Sequence, residues 1–300
     1  MIINGIDPND LGDDFSVSDS GKVLILDGDG PAYVAAATVK TVPTGCRRFA
    51  SSVLTATFLA ECSTADVYLT AEDSYKHGRF TINAWKPYQG QRSSASKPPL
   101  LTPLREALEA EEQHPEFTVH MERILEADDA MMIQAYAEKE NGIIRSEDKD
   151  LRMTPYPYFD IETGKVMPSD PFGYLYMSMT EGGTKKLLGR SLKFFWAQMV
   201  MGDTADNIRG LDKYKGKNIG PVDTHAWLEP IKDIEALCNE VIGAYREINQ
   251  NPLPEAWLLW LLRSPTDNVW SYFNELPWTE ANRAFLAECA TRPWFNAGGS

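Results

Sequence analysis

Three short runs of apolar, β-forming residues in this chain each stop at carboxylates. Lys22-Val23-Leu24-Ile25-Leu26 ends at Asp27-Gly28-Asp29-Gly30, Asp66-Val67-Tyr68-Leu69-Thr70 at Ala71-Glu72-Asp73, and Ile143-Ile144-Arg145 at Ser146-Glu147-Asp148-Lys149-Asp150. Continuous apolar runs of this length predict strands buried on both faces, the hallmark of a parallel sheet covered by helices. Alanine-rich stretches over 33–39 and 50–60 predict helices between them. Phe117-Thr118-Val119-His120 predicts a further strand, and Glu126-Ala127-Asp128-Asp129 opens a helix that Asn141-Gly142 stops. In such a sheet the carboxyl ends of the strands line one crevice, so the three acidic clusters should meet, joined by the helix start at Asp128.

At 300 residues the chain has room for two lobes. Residues 1–20 read as an acidic lead-in and 21–185 as an α/β core with a basic segment over 74–115. A helix and a second basic element follow over 186–222, then a helical lobe over 223–300. Within these, 158–166 predicts a hairpin and 187–201 a helix ending at Gly202-Asp203. Six of the eight tryptophans, Trp227, Trp257, Trp260, Trp270, Trp278 and Trp294, fall in the last lobe and read as core.

The formal charge is −14 with 43% hydrophobic and 24% charged residues, a globular composition whose acidity speaks against a nucleic-acid partner. Two stretches run against it. Residues 74–97 hold Lys76, Arg79, Lys86, Arg92 and Lys97 and no acid, and 185–217 carry eight basic residues against three acidic. Nine carboxylates stand at element boundaries: Asp27, Asp73, Glu126, Asp128, Asp129, Asp148, Asp150, Asp203 and Asp206. Setting these nine aside leaves the rest of the chain at −5, so much of the acidity belongs to one site. No apolar run approaches the ~18 residues of a membrane span. Four dispersed cysteines and an N-terminus without a visible secretory leader fit a reducing cytoplasm.

Taken singly, each acidic cluster has a structural explanation: Asp-Gly turns at Asp27, helix N-terminal acids at 126–129, a capped loop at 146–150, a helix stop at 202–207. Gathered together, the carboxylates would repel strongly unless cations separate them, and Mg2+, a hard ion that keeps water for substrate phosphate, suits them. Two such ions about 4 Å apart can activate water and stabilise a leaving phosphodiester oxygen.

In order and spacing these motifs resemble the flap endonuclease and 5′→3′ exonuclease family, especially its short phage members. The resemblance spans residues 22 to about 220. It is carried by Ile25-Leu26-Asp27-Gly28, Leu69-Thr70-Ala71-Glu72-Asp73, Tyr88-Gln89-Gly90-Gln91-Arg92, Glu126-Ala127-Asp128-Asp129, Ser146-Glu147-Asp148-Lys149-Asp150 and the stretch from Gly202-Asp203 through Asp206 to Gly210-Leu211. It implies a PIN-like α/β fold with a mostly parallel sheet, an arch, a helix–hairpin–helix and a helical C-terminal lobe. It implies a first metal at Asp27, Asp73, Glu126 and Asp128, and a second at Asp148, Asp150 and Asp203, with Asp129 and Asp206 in support. Mg2+ is the expected ion, Mn2+ a substitute, and K+ a guest of the hairpin. Where the family carries lysine this chain has Gln89, so Lys86 or Arg79 is expected to supply the missing charge, with Arg92 as phosphate clamp. Lys76, Arg79, Lys86, Tyr88, Arg92, Lys97, Arg209, Lys213, Lys215, Lys217 and Gly220 are the expected DNA contacts. The implied activity is cleavage of DNA from a free 5′ end or flap, extending to RNA in RNA–DNA hybrids, by a monomer in the cytoplasm.

Two other readings compete. Leu24-Ile25-Leu26-Asp27-Gly28-Asp29 also resembles the nucleophile loop of haloacid-dehalogenase-type phosphatases, with Asp27 as nucleophile and Asp29 as acid/base. That reading leaves 126–129 and the basic stretch 74–97 without a role. A non-catalytic DNA-binding module is opposed by the full set of carboxylates, which would weaken phosphate binding unless metals sit among them.

Overall fold

The computed structural model describes residues 20–90, 97–110, 113–114, 116–180 and 182–293. The acidic lead-in up to residue 19, Arg92, Trp294 and the C-terminal tail lie outside the described residues. The centre of the fold is β1 (Val23–Asp27), paired in parallel with β2 (Thr64–Thr70) on one side and β5 (Gly142–Arg145) on the other. β4 (Phe117–Glu122) extends the sheet in parallel beyond β2, and β6 (Tyr158–Asp160) beyond β5. Short antiparallel strands, β3 (Gln113–His114) and β7 (Lys165–Met167), border the two edges and complete a seven-stranded sheet.

The alternation of side chains divides the core. Leu24, Leu26, Val67, Leu69 and Ile143 pack under α1 (Asp29–Thr38), α2 (Val42–Leu59) and α3 (Leu101–Ala110). Ile25, Tyr68 and Ile144 point to the opposite face, under α4 (Ala127–Glu138) and the helices beyond it. From β1 the chain winds outward through β2 to β4, and α4 then carries it back across to β5 on the other side of β1. This reversal of winding opens a crevice at the carboxyl ends of the central strands. The expected fold class is the observed one.

Beyond the sheet, β8 (Leu175–Met179) and β9 (Lys185–Gly189) form an antiparallel pair, followed by α5 (Ser191–Met201). The helix expected over 187–201 therefore begins late. Leu187 and Leu188 belong to a strand, and Gly189 fits against the Tyr174 carbonyl where a Cβ would stand 2.9 Å away. Helix α5 is buried at nearly every position, so it acts as a central pillar rather than an amphipathic cover. Around it stand α6 (Pro221–Leu228), α7 (Ile234–Glu247), α8 (Leu253–Leu259), α9 (Val269–Asn274) and α10 (Glu280–Thr291). Trp196 of α5 stacks on Phe273 at 5.7 Å and donates its indole N–H to the Tyr272 hydroxyl at 3.1 Å. Burial of each such side chain contributes about 1.5–3 kcal/mol. Trp260 is buried, and Trp227, Trp257, Trp270 and Trp278 pack partly buried on the same core, as their clustering predicts. Among the described residues no helix is long and apolar enough to cross a membrane.

Candidate active site

Each acidic side chain in the crevice is set by a local device. Asp27 closes β1; its Oδ2 accepts from the Ser146 hydroxyl at 2.7 Å and its Oδ1 from the Asp29 N–H at 3.0 Å, which ties the ends of β1 and β5 together. Thr70, last residue of β2, accepts from the Ala127 N–H at 3.0 Å and so pins the start of α4, bringing Glu126 and Asp128 to the crevice. After β5, Asp148 caps a 3₁₀ turn (Lys149–Met153) by accepting from the Asp150 N–H at 2.9 Å. Asp203 follows Gly202 at the end of α5 and pairs its backbone with Ile208, closing a loop that carries Asp206.

The result is a cleft of about 610 Å³ lined by Asp27, Asp29, Glu126, Asp128, Asp148 and Asp206, with Lys76, Lys97 and Arg105 among its other walls. Asp128, Glu126 and Asp206 also border a small cavity that reaches Asp150. Carboxylate oxygens of Asp150, Asp203 and Asp206 all lie within 4.8 Å of one another.

Crowding shows in the proton affinities. Burial pushes the Asp27 carboxyl up to about 6. Burial, reinforced by Asp148 and Asp203, pushes Asp150 up to about 8 although Lys149 opposes it. Asp128 is driven well above the ordinary range by burial and then by Asp148, Asp27, Glu126 and Asp150. Two groups go the other way. Burial would raise Asp203 and Glu126, but Lys149 holds the first below its usual value, and Arg79 with Lys76 does the same for the second. Lys149 lies between carboxylates, its Nζ 2.7 Å from Asp150 Oδ1 and 2.5 Å from Asp203 Oδ2. Buried hard-oxygen donors that repel one another, with one protein ammonium wedged among them, fit a divalent cation.

The structure gathers seven of the nine expected carboxylates and leaves out two. Asp73 turns outward, its side chain 75% exposed and paired with Arg123 at 3.0 Å. Asp129 faces the interior, fully buried, where it grips Arg79 through both oxygens. Arg79 is likewise no surface contact: at 2% exposure it also bonds Glu126 and the Trp260 carbonyl, both at 2.9 Å, and so clamps α4 to the helical lobe. Tyr88, expected on DNA, is buried with its hydroxyl donating to Glu126 Oε2 at 2.8 Å. Lys86 is exposed and stands apart from the cleft lining. Of the cations in the cleft wall, Lys76 is the one whose Nζ donates to Gln89 Oε1, at 2.7 Å, and it also meets Glu126 Oε1 at 3.2 Å.

Lys97 lies at the rim, paired with Glu72 at 3.0 Å. Arg209 pairs with Asp212 and lies over the exposed Trp85 ring at 4.3 Å. Lys213, Lys215 and Lys217 are exposed on a turn closed by a Tyr214–Lys217 bridge, Lys217 meeting Asp223 at 2.9 Å, and Gly220 caps the start of α6. Sequence reasoning missed Lys149, Ser146, Thr70 and Gln198, which donates to Asp150 at 2.5 Å. It gave Asp29 only to the phosphatase reading. In the structure Asp29 is held by Arg105 at 2.6 Å while Glu126 and Asp128 share its cleft, a set that the phosphatase scheme leaves unused.

No protein-family model and no curated protein matches the chain. Among solved structures, it is similar to bacteriophage T5 5′-exonuclease with bound divalent zinc ions, at a TM-score of 0.51 and 15% identity over 90% of this chain and 98% of that one. A bacteriophage T5 D15 flap endonuclease in a pseudo-enzyme–product complex with DNA and metal ions also matches, at a TM-score of 0.48 and 14% identity over 90% and 100% of the two chains. The chain thus has the fold of the T5 5′-exonuclease, as its motifs suggested.

Proposed function

We propose that the protein is a metal-dependent nuclease that cleaves DNA at or near a free 5′ end. The observation that carries this reading is the convergence of Asp27, Glu126, Asp128, Asp148, Asp150, Asp203 and Asp206 on one crevice of this fold. Asp27, Glu126 and Asp128 suit one divalent ion and Asp150, Asp203 and Asp206 a second, with Asp148 beside both sets; Mg2+ is the best match and Mn2+ a substitute. Bound there, such ions supply an activated water and a Lewis acid for the leaving oxygen.

The protein's own groups do the rest. Ser146 and Tyr88 hold the Asp27 and Glu126 carboxylates in place. Lys76, steadied by Gln89, offers its ammonium to the phosphate entering the cleft, where charge develops. Lys213, Lys215 and Lys217 supply charge for the backbone of the duplex behind it. RNA in RNA–DNA hybrids is a second substrate in this reading, and the working unit is a monomer.

End-labelled duplex, flap and hybrid substrates digested side by side in Mg2+ test it. Cleavage to 5′-phosphate products is expected, lost in Asp148→Ala/Asp150→Ala while that variant still binds duplex in Ca2+. Magnesium-dependent cleavage by the double variant would refute the site assignment.

A further inference from the structure

A second depression, of about 700 Å³, lies between the loop that precedes Tyr88 and the helical lobe, and it shares no lining residue with the acidic cleft. Its walls come from Trp85, from the turn at 249–251 after α7, from Glu255 in the first turn of α8 and from Arg292 just past α10. Several of its polar groups are already engaged. Gln250 accepts from the Asp212 N–H at 2.8 Å and donates to the Gly210 carbonyl at 2.9 Å, and Arg292 holds the Asn249 side chain and Glu288.

Three groups are left over. Glu255 is 3% exposed, yet among the described residues no basic side chain lies within ion-pair distance of it; its Oε1 accepts from the Trp85 N–H at 3.4 Å, long for such a bond. Burial pushes its carboxyl up to about 7, with Arg209 only partly opposing. Trp85 is 60% exposed, with the Arg209 guanidinium over its ring at 4.3 Å. Lys213 is exposed, and among the described residues no carboxylate lies within ion-pair distance of it. A buried acceptor, an aromatic wall and an unpaired cation together define a ligand. A simple organic cation suits Glu255 but is repelled by Lys213, Arg292 and Arg209. A planar ring with N–H donors and an attached phosphate suits all three groups. Among nucleobases the carboxylate then selects, because it only accepts: guanine offers two adjacent donors, N1–H and N2–H, whereas adenine and cytosine set one donor beside a ring acceptor.

We propose that this pocket binds a guanine nucleotide, its ring stacked on Trp85, its N1–H and N2–H donors on the Glu255 carboxylate and its phosphate toward Lys213. Because the pocket lies apart from the acidic cleft, guanine binding goes beyond the nuclease reading and does not depend on it. The same chemistry comes from two sources, a free mononucleotide and an unpaired guanine in a single strand.

Titration calorimetry in metal-free buffer at about pH 8, where the Glu255 carboxyl is mostly ionised, tests it with 2′-deoxyguanosine 5′-monophosphate and its deoxyinosine analogue, which lacks only the N2 amine. The wild-type protein should bind the guanine nucleotide about tenfold more tightly than the inosine one. Glu255→Gln should abolish that preference. Trp85→Ala should weaken both ligands about tenfold and Trp85→Phe should restore most of the binding, with circular dichroism melts to establish folding. Oligothymidylate carrying a single guanine or a single inosine, read by anisotropy in the same buffer, separates the sources. A guanine preference there that Glu255→Gln removes assigns the pocket to strand-borne bases; a preference seen only with the mononucleotides assigns it to the free nucleotide. Equal wild-type affinity for guanine and inosine in both formats, no binding in either, or a preference that survives Glu255→Gln would overturn the proposal. The wild-type comparison stands even if a variant fails to fold. With no divalent metal present cleavage plays no part, so a protein that fails to cut DNA in Mg2+ loses the nuclease reading and leaves this result intact.

Discussion

Replacing Arg79 with methionine separates a buried clamp from a surface phosphate contact. The guanidinium is 2% exposed and Asp129 fully buried, and the two are joined by a bidentate pair that Glu126 and the Trp260 carbonyl complete. Without Arg79, Asp129 keeps only the Leu262 N–H at 3.3 Å and becomes an uncompensated buried carboxylate. Breaking a buried pair in this way costs about 3–5 kcal/mol. With a urea slope of about 3 kcal/mol/M for a chain of this size, the midpoint should fall by about 1–1.7 M. Equilibrium unfolding followed by both tryptophan fluorescence and far-ultraviolet circular dichroism measures it, since coincident transitions justify reading a midpoint as stability. Adding Asp129→Leu should return part of the loss, giving a coupling of at least about 2 kcal/mol in the double-mutant cycle. If Arg79→Met moved the midpoint by less than about 0.3 M while weakening DNA binding tenfold, the clamp would be wrong and the arginine a DNA contact after all.

Other substitutions probe the cleft. Lys76→Ala should slow cleavage about 10²-fold with DNA affinity in Ca2+ nearly unchanged, as single-turnover and binding assays would report. Asp73→Ala should leave single-turnover cleavage within about twofold of wild type, because the side chain points to solvent. Lys149→Met removes the ammonium between Asp150 and Asp203; calorimetry should show tighter Mg2+ binding, and the metal-free protein should melt lower. The pH dependence has a definite sign. Asp27 at about 6 and Asp150 at about 8 bind protons more tightly when folded than their ordinary value of 3.8 implies for the unfolded chain. Metal-free stability should therefore fall as pH rises from about 4 to about 8. The lowered Asp203 and Glu126 act with the opposite sign, at acid pH below that window. Melting temperatures with and without Mg2+ across pH 5–8.5 check this, and the decline should shrink when metal is added.

How much of this was legible in the sequence depends on the range of the interaction. Strands ending in acids could be read because burial imposes a local apolar pattern, and the winding of a parallel sheet then brings Asp27, Asp128 and Asp148 together. The start of α5 was misread because Leu187 and Leu188 satisfy a helical pattern as readily as a strand, and only pairing with β8 decides. Arg79 and Asp129 were beyond reach for a different reason. A basic residue among basic neighbours and an acid among acids both look solvated, and their mutual burial is a tertiary fact across 50 residues. Lys76 was visible as a charge but not as a partner of Glu126, which it meets beside Arg79 through a contact between segments 50 residues apart.

The loop after α5 is drawn tight by two glycines whose backbones touch: a Cβ on Gly210 would fall 2.4 Å from the Gly202 nitrogen, and one on Gly202 the same distance from the Arg209 carbonyl. Both adopt positive φ, so neither position tolerates a side chain without moving main chain. This seam welds the carboxylates at Asp203 and Asp206 to the segment that leads into the lysine-bearing turn. In the proposed reading, a duplex docking on that turn would push the acids with it, so that the position of the DNA and that of the ions would vary together.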